Sequence, residues 1–542
     1  MASTKTQKSS EPKLRFTVRH ALTDIYVLLM FTFFPLFLSN YYAAARRDKF
    51  WVFLILTAVV GVSVGVLSLT DFFTRNSEYN RKLNTYRDPF KLSATDIAFF
   101  VFAGVSLISA LASGRISHCF TGLSTSSSGR NMGLITILLL LVCYLVISRF
   151  FFYKNYIFYG IFFGISVVSF VAILNYYYLD PLHIMEAYQN SESTFMNFTS
   201  TIGNKNYLSA FICVALPFSV GVALTSNDRI MTVIAYLSTA LQFMGLIVAT
   251  SDGGFLGFAA MLLVIFIAVS RNAKKLLRFF LSVSVMALAA KILKLFDIIM
   301  KGHSKGYSGF SDLFLNGFLS WVLLAVFLVL SGLTLLYLRN KDTCELPKWF
   351  IFIPISIVAA AVLGFSGLFI YFTFIDKTTE LSGTLRFFRF GDTWGTHRGY
   401  FWIKSFEIWK NDLNVWQKLF GTGPDTYYFA FRPYFTELLE KFGESSTNAA
   451  HNVYINYLVT QGIVGALAYL VFIGASVWLT FKRSFRNPLA LICLCVIVTY
   501  ATQDIVNIAN PVNSPLFFIF IALSEATLLK ANSTEQLAAS NY

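Results

Sequence analysis

Long uninterrupted apolar runs constrain the fold of this chain more than any other feature. Stretches without a charged residue recur along nearly the whole length, for example at 51–69, 132–148, 254–270 and 321–338. Each is long enough to cross the roughly 30 Å hydrocarbon core of a bilayer as a helix. Only 13% of the 542 residues are charged, whereas soluble domains carry about a quarter. The chain is therefore predicted to be an all-α polytopic membrane protein.

The hydrophobic pattern predicts about 12–14 transmembrane helices. The fourteen runs lie near 21–42, 51–70, 95–113, 131–148, 157–177, 207–225, 230–250, 253–270, 279–297, 317–338, 349–375, 452–480, 488–507 and 514–530. The predicted organisation is a cytoplasmic polar tail at 1–20, eleven helices over 21–375, an extracytoplasmic loop domain at 376–450, three helices over 451–530 and a cytoplasmic tail at 531–542. The first dozen residues are polar, and we expect them to be disordered.

The net charge of +15 is explained by orientation rather than by a nucleic-acid partner. With both termini on one side, five basic clusters share that side, and the positive-inside rule makes it the cytoplasm. The clusters are Lys5 to Arg19, Arg75 to Lys91, Arg271 to Arg278, Arg339 to Lys348 and Lys482 to Arg486. One short loop on the other side, "ARRDK" at 45–49, breaks the pattern. The six cysteines are scattered and form no disulfide framework or CxxC metal motif.

The loop at 376–450 is the main place for a functional site, because almost every other loop is short. It holds equal numbers of basic and acidic residues, which indicates a folded, solvated segment. Within it, Trp402, Phe406, Trp409, Leu413, Trp416 and Phe420 recur at steps of four and three, one continuous amphipathic helical stripe. The stripe fits a helix in the lipid headgroup region or one packed on the tops of the membrane helices, and the sequence does not separate the two.

Three arginines in this loop form a candidate anion site. Arg398 lies just ahead of the amphipathic helix, where free backbone N–H groups favour anions. Its planar guanidinium also matches phosphate oxygens. Arg386 and Arg389 are close enough in sequence to join it. For any one of them alone, a headgroup contact or a surface ion pair is the simpler interpretation.

His451 is the candidate base. If its helix starts near Thr447 or Asn448, the ring lies in the first turn, where the helix dipole favours a neutral imidazole. The steps from 451 to 455, 458, 462 and 465 place it on one face with Gly462 and Gly465, which let a neighbouring helix approach closely. A lone histidine at a membrane boundary can equally be an interfacial anchor.

These residues resemble a known family. His451-Asn452, nine residues, then Gly462-x-x-Gly465 is similar to the signature of the O-antigen ligase and O-antigen polymerase family. The stretch "TIGNKNYLSAF", with Gly203, Asn204 and Asn206, resembles the family's G-N-x-N entry into a span. "RGYFWIKSFEIW" followed by "KLFGTGPDTYYFAF" resembles its arginine-containing helix and G-x-G-P turn. Matches in the family's order cover about residues 200–530.

The resemblance implies an inverting, metal-independent glycosyltransferase of GT-C-like fold that uses no cofactor. Its donor would be a glycan on undecaprenyl diphosphate, its acceptor a hydroxyl of a glycan or glycolipid, and its surroundings the lipids of a bacterial plasma membrane. The active site would face outward, with both termini cytoplasmic. Carried over, Arg398 would hold the diphosphate and His451 would deprotonate or orient the acceptor hydroxyl. Asn204, Asn206 and Asn452 would belong to the substrate site.

One departure from the family pattern concerns the span that ends near residue 250. The family usually has a Ser-Arg-Gly turn there, whose arginine is a second diphosphate contact. This chain has Asp252 in "ATSDGGFLG". Arg386 or Arg389 would then substitute for that arginine, or Asp252 would contact a sugar hydroxyl or have a catalytic role of its own.

Three functions remain open at this level. A polymerase and a ligase differ only in the acceptor, and polymerase is favoured because no acceptor-specific feature is visible. A transporter or flippase of lipid-linked oligosaccharide should show internal repeats and charges near mid-span, yet no repeat is found and Lys291 and Lys294 are the only cations well inside a span. A non-enzymatic scaffold predicts that His451→Ala has no effect.

Overall fold

A computed structural model describes residues 17–39, 45–73, 92–122, 129–185, 197–301, 303–307, 309–341 and 343–528. Most of the predicted N-terminal tail, the basic residues at 75–91 and the tail at 531–542 lie outside these ranges. The described chain is helical almost throughout. Its only sheet is a two-residue antiparallel pair in which β1 (Phe198–Thr199) pairs with β2 (Gly203–Asn204).

The described residues of the first part of the chain form thirteen α-helices. They are α1 Val18–Thr32, α2 Ala45–Phe73, α3 Ala94–Ala112, α4 Ile116–Thr121, α5 Leu134–Phe150, α6 Asn155–Tyr176, α7 Lys205–Thr225, α8 Arg229–Val248, α9 Asp252–Val269, α10 Ala273–Ile299, α11 Gly309–Leu315, α12 Leu319–Asn340 and α13 Phe352–Ile370. A 3-10 turn at Lys348–Ile351 precedes α13 and a π turn at Tyr371–Ile375 follows it.

The remaining α-helices are α14 Trp394–Glu407, α15 Val415–Phe420, α16 Tyr427–Phe431, α17 Phe435–Phe442, α18 Val453–Thr460, α19 Gly462–Ser484, α20 Pro488–Gln503 and α21 Ser514–Ala526. A π turn at Ile408–Asp412 separates α14 from α15. Short 3-10 turns occupy Gly383–Phe388, Arg432–Tyr434 and Asp504–Val506.

Eleven helices of the described residues are long and apolar enough to cross a membrane, which confirms the polytopic all-α prediction. Three predicted spans appear as shorter helices, namely α1, α5 and α21. The predicted span at 452–480 is not one helix, because the chain breaks between α18 and α19.

Helix α7 is the centre of the bundle. It is buried along almost its whole length and packs against α8 and α20, and α9 packs against both α7 and α20. Because α7 and α9 begin at Lys205 and Asp252, the packing of these helices brings two predicted substrate residues, Asn206 and Asp252, close together.

The segment 376–450 folds as a helical layer with its own hydrophobic cluster, built around Tyr400, Phe401, Tyr427 and Phe431. The stripe from Trp402 to Phe420 is not one continuous helix, since the π turn at Ile408–Asp412 and a break at Leu413 divide it. Trp402 and Trp409 pack inward, whereas Trp416 is about half exposed. The first two tryptophans thus fit packing on the protein, and the third fits a headgroup contact.

Candidate functional site

His451 lies before a helix, not inside it. Helix α18 begins at Val453, and the N-cap is Asn452, whose Oδ1 accepts the N–H of Ile455 at 3.0 Å. The prediction of a helix starting near Thr447 or Asn448 is therefore wrong. His451 has a φ of 52°, a left-handed conformation that turns the chain sharply into α18.

The imidazole of His451 is neutral at neutral pH. Burial lowers its pKa most, and the positive charges of Arg398 and Arg130 lower it further, to about 3. The sequence predicted a neutral ring because of a helix dipole. In the structure the cause of the neutral state is instead desolvation, together with the charges of two arginines. The ring also packs face to face on Phe401, with centroids 5.6 Å apart.

Arg398 starts the regular part of α14. The three residues before it, Gly395, Thr396 and His397, all have left-handed φ values of 59°, 61° and 65°. The Nη1 of Arg398 donates to the carbonyl of Gly395 at 2.8 Å, while its Nε is buried without a hydrogen-bond partner. Such a buried, unpartnered donor suits a ligand that brings its own acceptor atoms.

The left-handed turn ahead of Arg398 is held by His397. Its Nδ1 lies 2.9 Å from Oε1 of Glu444, and its ring stacks on Phe442 with centroids 4.1 Å apart. Non-glycine residues in this conformation cost of order 1–2 kcal/mol each. The contacts of His397 with Phe442 in α17 and with Glu444 after it compensate part of that cost. They thereby fix the position at which Arg398 starts the regular part of α14.

Asp252 is a neighbour of Arg398. Its negative charge partly offsets the lowering of the Arg398 pKa that burial causes. Asp252 Oδ1 also accepts the backbone N–H of Phe310 at 3.0 Å, and a Cβ at Gly309 would lie within 2.8 Å of its carboxylate. The carboxylate is thus packed against α11, with one face toward a cation.

The three predicted asparagines act first as helix caps and braces. Asn204 Oδ1 accepts the N–H of Asn206 at 2.8 Å at the start of α7. Asn206 Oδ1 accepts the hydroxyl of Ser251 at 2.8 Å, which ties α7 to the residue before Asp252. Asn452 caps α18 and is the member of this group that lines the cavity beside His451. Their contacts with substrate stay a prediction.

Arg386 and Arg389 lie in and after the 3-10 turn at Gly383–Phe388. Arg386 is exposed, and its Nε donates to the carbonyl of Gly383 at 3.4 Å. Arg389 donates to the carbonyls of Phe372 at 3.1 Å and Asp376 at 2.8 Å, so it caps the end of the preceding helix. Both have local structural contacts, and their role in binding substrate stays a prediction.

Gly462 and Gly465 do not share a face with His451 on one helix. Gly462 has a φ of 68° and breaks the chain between α18 and α19. A Cβ there would lie 2.3 Å from the backbone of Leu419, so the close approach is to α15. At Gly465 a Cβ would lie 3.3 Å from Val105 of α3, which is the membrane-helix contact that the sequence predicted.

A small polar cavity of about 20 Å³ opens beside His451. Its lining includes Arg130, Asp425 and a group of amide side chains, Asn452, Asn456, Gln461 and Asn507. The Oε1 of Gln461 is buried without a hydrogen-bond partner. The sequence reasoning missed Arg130, Gln461 and Asn507, although each falls in or near a loop that the predicted topology places on the outer side.

The site gathers residues from loops far apart in sequence, including those at 129–133, 425, 451 and 507. The predicted topology places all of these loops on one side of the membrane. A cavity lined by a neutral imidazole, amides and arginine is suited to a ligand with both hydroxyls and negative charge.

Part of the chain matches a known family. Residues 312–470 match the model of a family described as O-Antigen ligase. A comparison with curated proteins gives no match. The family match covers the helical layer, Arg398, His451 and both glycines of the signature, so the family resemblance predicted from the sequence is confirmed.

Proposed function

We propose a specific reaction for this chain. It carries an O-antigen ligase domain in a polytopic membrane protein, so in general terms it is a membrane enzyme that ligates glycans. The protein transfers a glycan from undecaprenyl diphosphate to a hydroxyl of an acceptor sugar. The transfer occurs at the outer face of the bacterial cytoplasmic membrane and polymerises or ligates a surface polysaccharide. The observation that supports this most directly is the pairing of a neutral His451 with Arg398.

The chemistry is a displacement at the anomeric carbon. The acceptor oxygen bonds to that carbon, the bond from the carbon to the diphosphate oxygen breaks, and its electron pair leaves with the diphosphate. One displacement inverts the configuration. The proton of the acceptor hydroxyl passes to His451, which is neutral and able to take it.

Arg398 stabilises the leaving group. Negative charge develops on the diphosphate oxygen as the bond breaks, and a fixed guanidinium in a partly desolvated site stabilises such charge strongly. The unpartnered Nε of Arg398 supplies a donor whose hydrogen bond is made only when the ligand arrives. In this proposal arginine neutralises the diphosphate, so the transfer requires no metal ion.

The bound donor also makes His451 a better base. In the free protein the positive charges of Arg398 and Arg130 oppose protonation of the imidazole. A diphosphate beside them cancels part of that positive charge, so the pKa of His451 rises when the donor binds. The base therefore becomes effective with the donor in place.

The test uses purified protein in lipid discs with undecaprenyl-diphosphate-linked repeat units and no added divalent metal. A ladder of longer lipid-linked glycans in the wild type, absent in His451→Ala, is expected for a polymerase. Transfer only after an acceptor glycolipid is added identifies a ligase. His303→Ala, in the loop after α10, is the matched histidine control and should behave as the wild type. Full turnover in His451→Ala would exclude the proposed base.

A further inference from the structure

Arg130 is a buried arginine that the proposed reaction has not yet used. Only 5% of it is exposed, and it lies in the loop between α4 and α5. Its Nε donates to Oδ1 of Asn448 at 2.8 Å, three residues before His451. Among the described residues its guanidinium forms no ion pair. The negative charge of nearby Asp425 stabilises this cation, but a buried arginine that no carboxylate bridges directly remains costly, and an anionic ligand would lower that cost.

The described end of this loop, residues 129–133, is held by Asp425. Oδ2 of Asp425 accepts the backbone N–H of Arg130 at 2.7 Å and that of Met132 at 3.1 Å. Asp425 is itself in a left-handed conformation, with a φ of 61°. This oxygen of Asp425 therefore binds the backbone of residues 130 and 132, and among the described residues the guanidinium of Arg130 hydrogen-bonds to Asn448.

Arg130 belongs to the same electrostatic site as Arg398. Both positive charges lower the pKa of His451, and Arg130 lines the cavity beside that ring. Burial lowers the pKa of Arg130 to about 10; Tyr207 and Asp425 oppose this change and nearby Arg46 adds to it, so the guanidinium stays charged at neutral pH. Arg46 comes from "ARRDK", the loop that broke the positive-inside pattern.

We propose that Arg130 is the second cationic contact of the diphosphate, acting together with Arg398. This inference rests on the proposed function and assigns to the loop between α4 and α5 the part that the family resemblance gives to the position of Asp252. The other candidates, Arg386 and Arg389, donate to backbone carbonyls of their own segment.

Two guanidinium groups suit a diphosphate because its two phosphoryl groups present several oxygens and at least two charges. Each planar fork can donate two parallel hydrogen bonds to one phosphoryl group. Arg398 comes from the outer helical layer and Arg130 from the loop that leads into membrane helix α5. The ligand therefore bridges the two parts of the protein at the position of His451.

The alternative is that Arg130 only fastens its loop to Asn448. The two roles differ in what a change at Asn448 does. A fastening role predicts that Asn448→Ala and Arg130→Gln have the same effect, because each removes the same hydrogen bond. A binding role predicts that Asn448→Ala keeps most of the affinity for diphosphate, because the positive charge remains.

The experiment measures binding of farnesyl diphosphate, a short-chain prenyl diphosphate, by calorimetry to the full chain in phosphatidylcholine discs. Arg130→Gln should weaken binding about tenfold or more, which corresponds to the loss of a charged hydrogen bond. Arg115→Gln is the matched control, since Arg115 is exposed and its guanidinium lies over the ring of Phe429. The double variant Arg130→Gln/Arg398→Gln should show coupling between the two residues.

The outcomes distinguish a failure of the proposed function from a failure of the role proposed for Arg130. If the wild type does not bind farnesyl diphosphate, the proposed function itself is contradicted. If the wild type binds and Arg130→Gln binds equally well, only the role of Arg130 is overturned. Thermal unfolding is recorded for each variant, and if Arg130→Gln fails to fold, Arg130→Lys decides. Lysine keeps the charge but lacks the planar guanidinium, so Arg130→Lys must bind farnesyl diphosphate several-fold more weakly. Unchanged binding in this variant overturns the inference.

Discussion

The imidazole of His451 stacks on the phenyl ring of Phe401, with the ring planes inclined by 21°. Phe401 follows Arg398 by three residues in α14, and it is 97% buried. One short helix therefore places both the arginine of the proposed diphosphate site and a ring that orients the proposed base. A movement of α14 would displace both groups together.

Phe401→Leu should lower turnover more than it lowers stability. Leucine keeps most of the apolar volume, so the free energy of unfolding should fall by only about 1–1.5 kcal/mol. The imidazole loses its flat support, however, and kcat should drop several-fold with KM little changed. The measurement is initial rates with a thermal unfolding curve for the same preparation.

The control for this change is Phe435→Leu. Phe435 packs against the same hydrophobic cluster and contacts Phe431 rather than His451. It should show a similar change in stability with kcat unchanged. Equal losses of kcat in both variants would mean that Phe401 acts only through the packing of the layer.

The pH dependence of the reaction should reveal a histidine with a strongly lowered pKa. In the free protein the pKa of His451 is about 3, so its protonation should reduce kcat/KM only below about pH 4. With the donor bound, the added negative charge raises that pKa, so the acid limb of kcat should lie at higher pH than that of kcat/KM. Arg398→Gln removes a positive charge and should shift the limb of kcat/KM upward. A limb near 6.5, the ordinary value for histidine, would contradict the strongly lowered pKa of His451.

Features that depend on local sequence could be predicted, and these features make up most of the fold. The apolar runs gave the membrane helices, and the residues ahead of the amphipathic segment placed Arg398 at a helix start. A charge-balanced loop of about 75 residues predicted a folded layer. These signals depend on hydrophobicity and on residues a few positions apart, which a single sequence displays.

Features set by tertiary contacts could not be predicted. Gly462 takes a left-handed conformation because α15 packs against its backbone, and nothing adjacent in sequence indicates that contact. Arg130 is more than 300 residues from Asn448 along the chain, so only the folded protein shows that they meet. The arginine was visible on the predicted outer side, but its burial was not.

Asp252→Asn should strengthen binding of prenyl diphosphate. The amide keeps an oxygen for the backbone N–H of Phe310, while the negative charge beside Arg398 disappears. Repulsion between this carboxylate and the bound anion is lost, and affinity should rise about threefold to tenfold. Calorimetry with farnesyl diphosphate measures the change, and added salt should reduce it.

Asp312→Asn serves as the control for Asp252, because Asp312 is exposed and its Oδ1 accepts the side-chain amide of Asn316 four residues on. It should leave affinity unchanged. Weaker binding in Asp252→Asn would show that the carboxylate itself contacts the ligand or holds Arg398 in place. Asp252→Arg is a poorer probe, since Gly309 packs directly against this side chain.

Gly462→Ala should destabilise the protein and disturb the site, whereas Gly474→Ala in the same helix should not. At Gly462 the φ of 68° disfavours alanine, and its Cβ would lie 2.3 Å from the backbone of Leu419. Together these predict a loss of more than about 2 kcal/mol in the free energy of unfolding. At Gly474 nothing lies within 4 Å, so alanine should be neutral or stabilise the helix by up to about 1 kcal/mol. Thermal unfolding in detergent compares the two. Equal stability of both variants would mean that α15 can move away from Gly462 at little cost, and that the break between α18 and α19 does not depend on glycine.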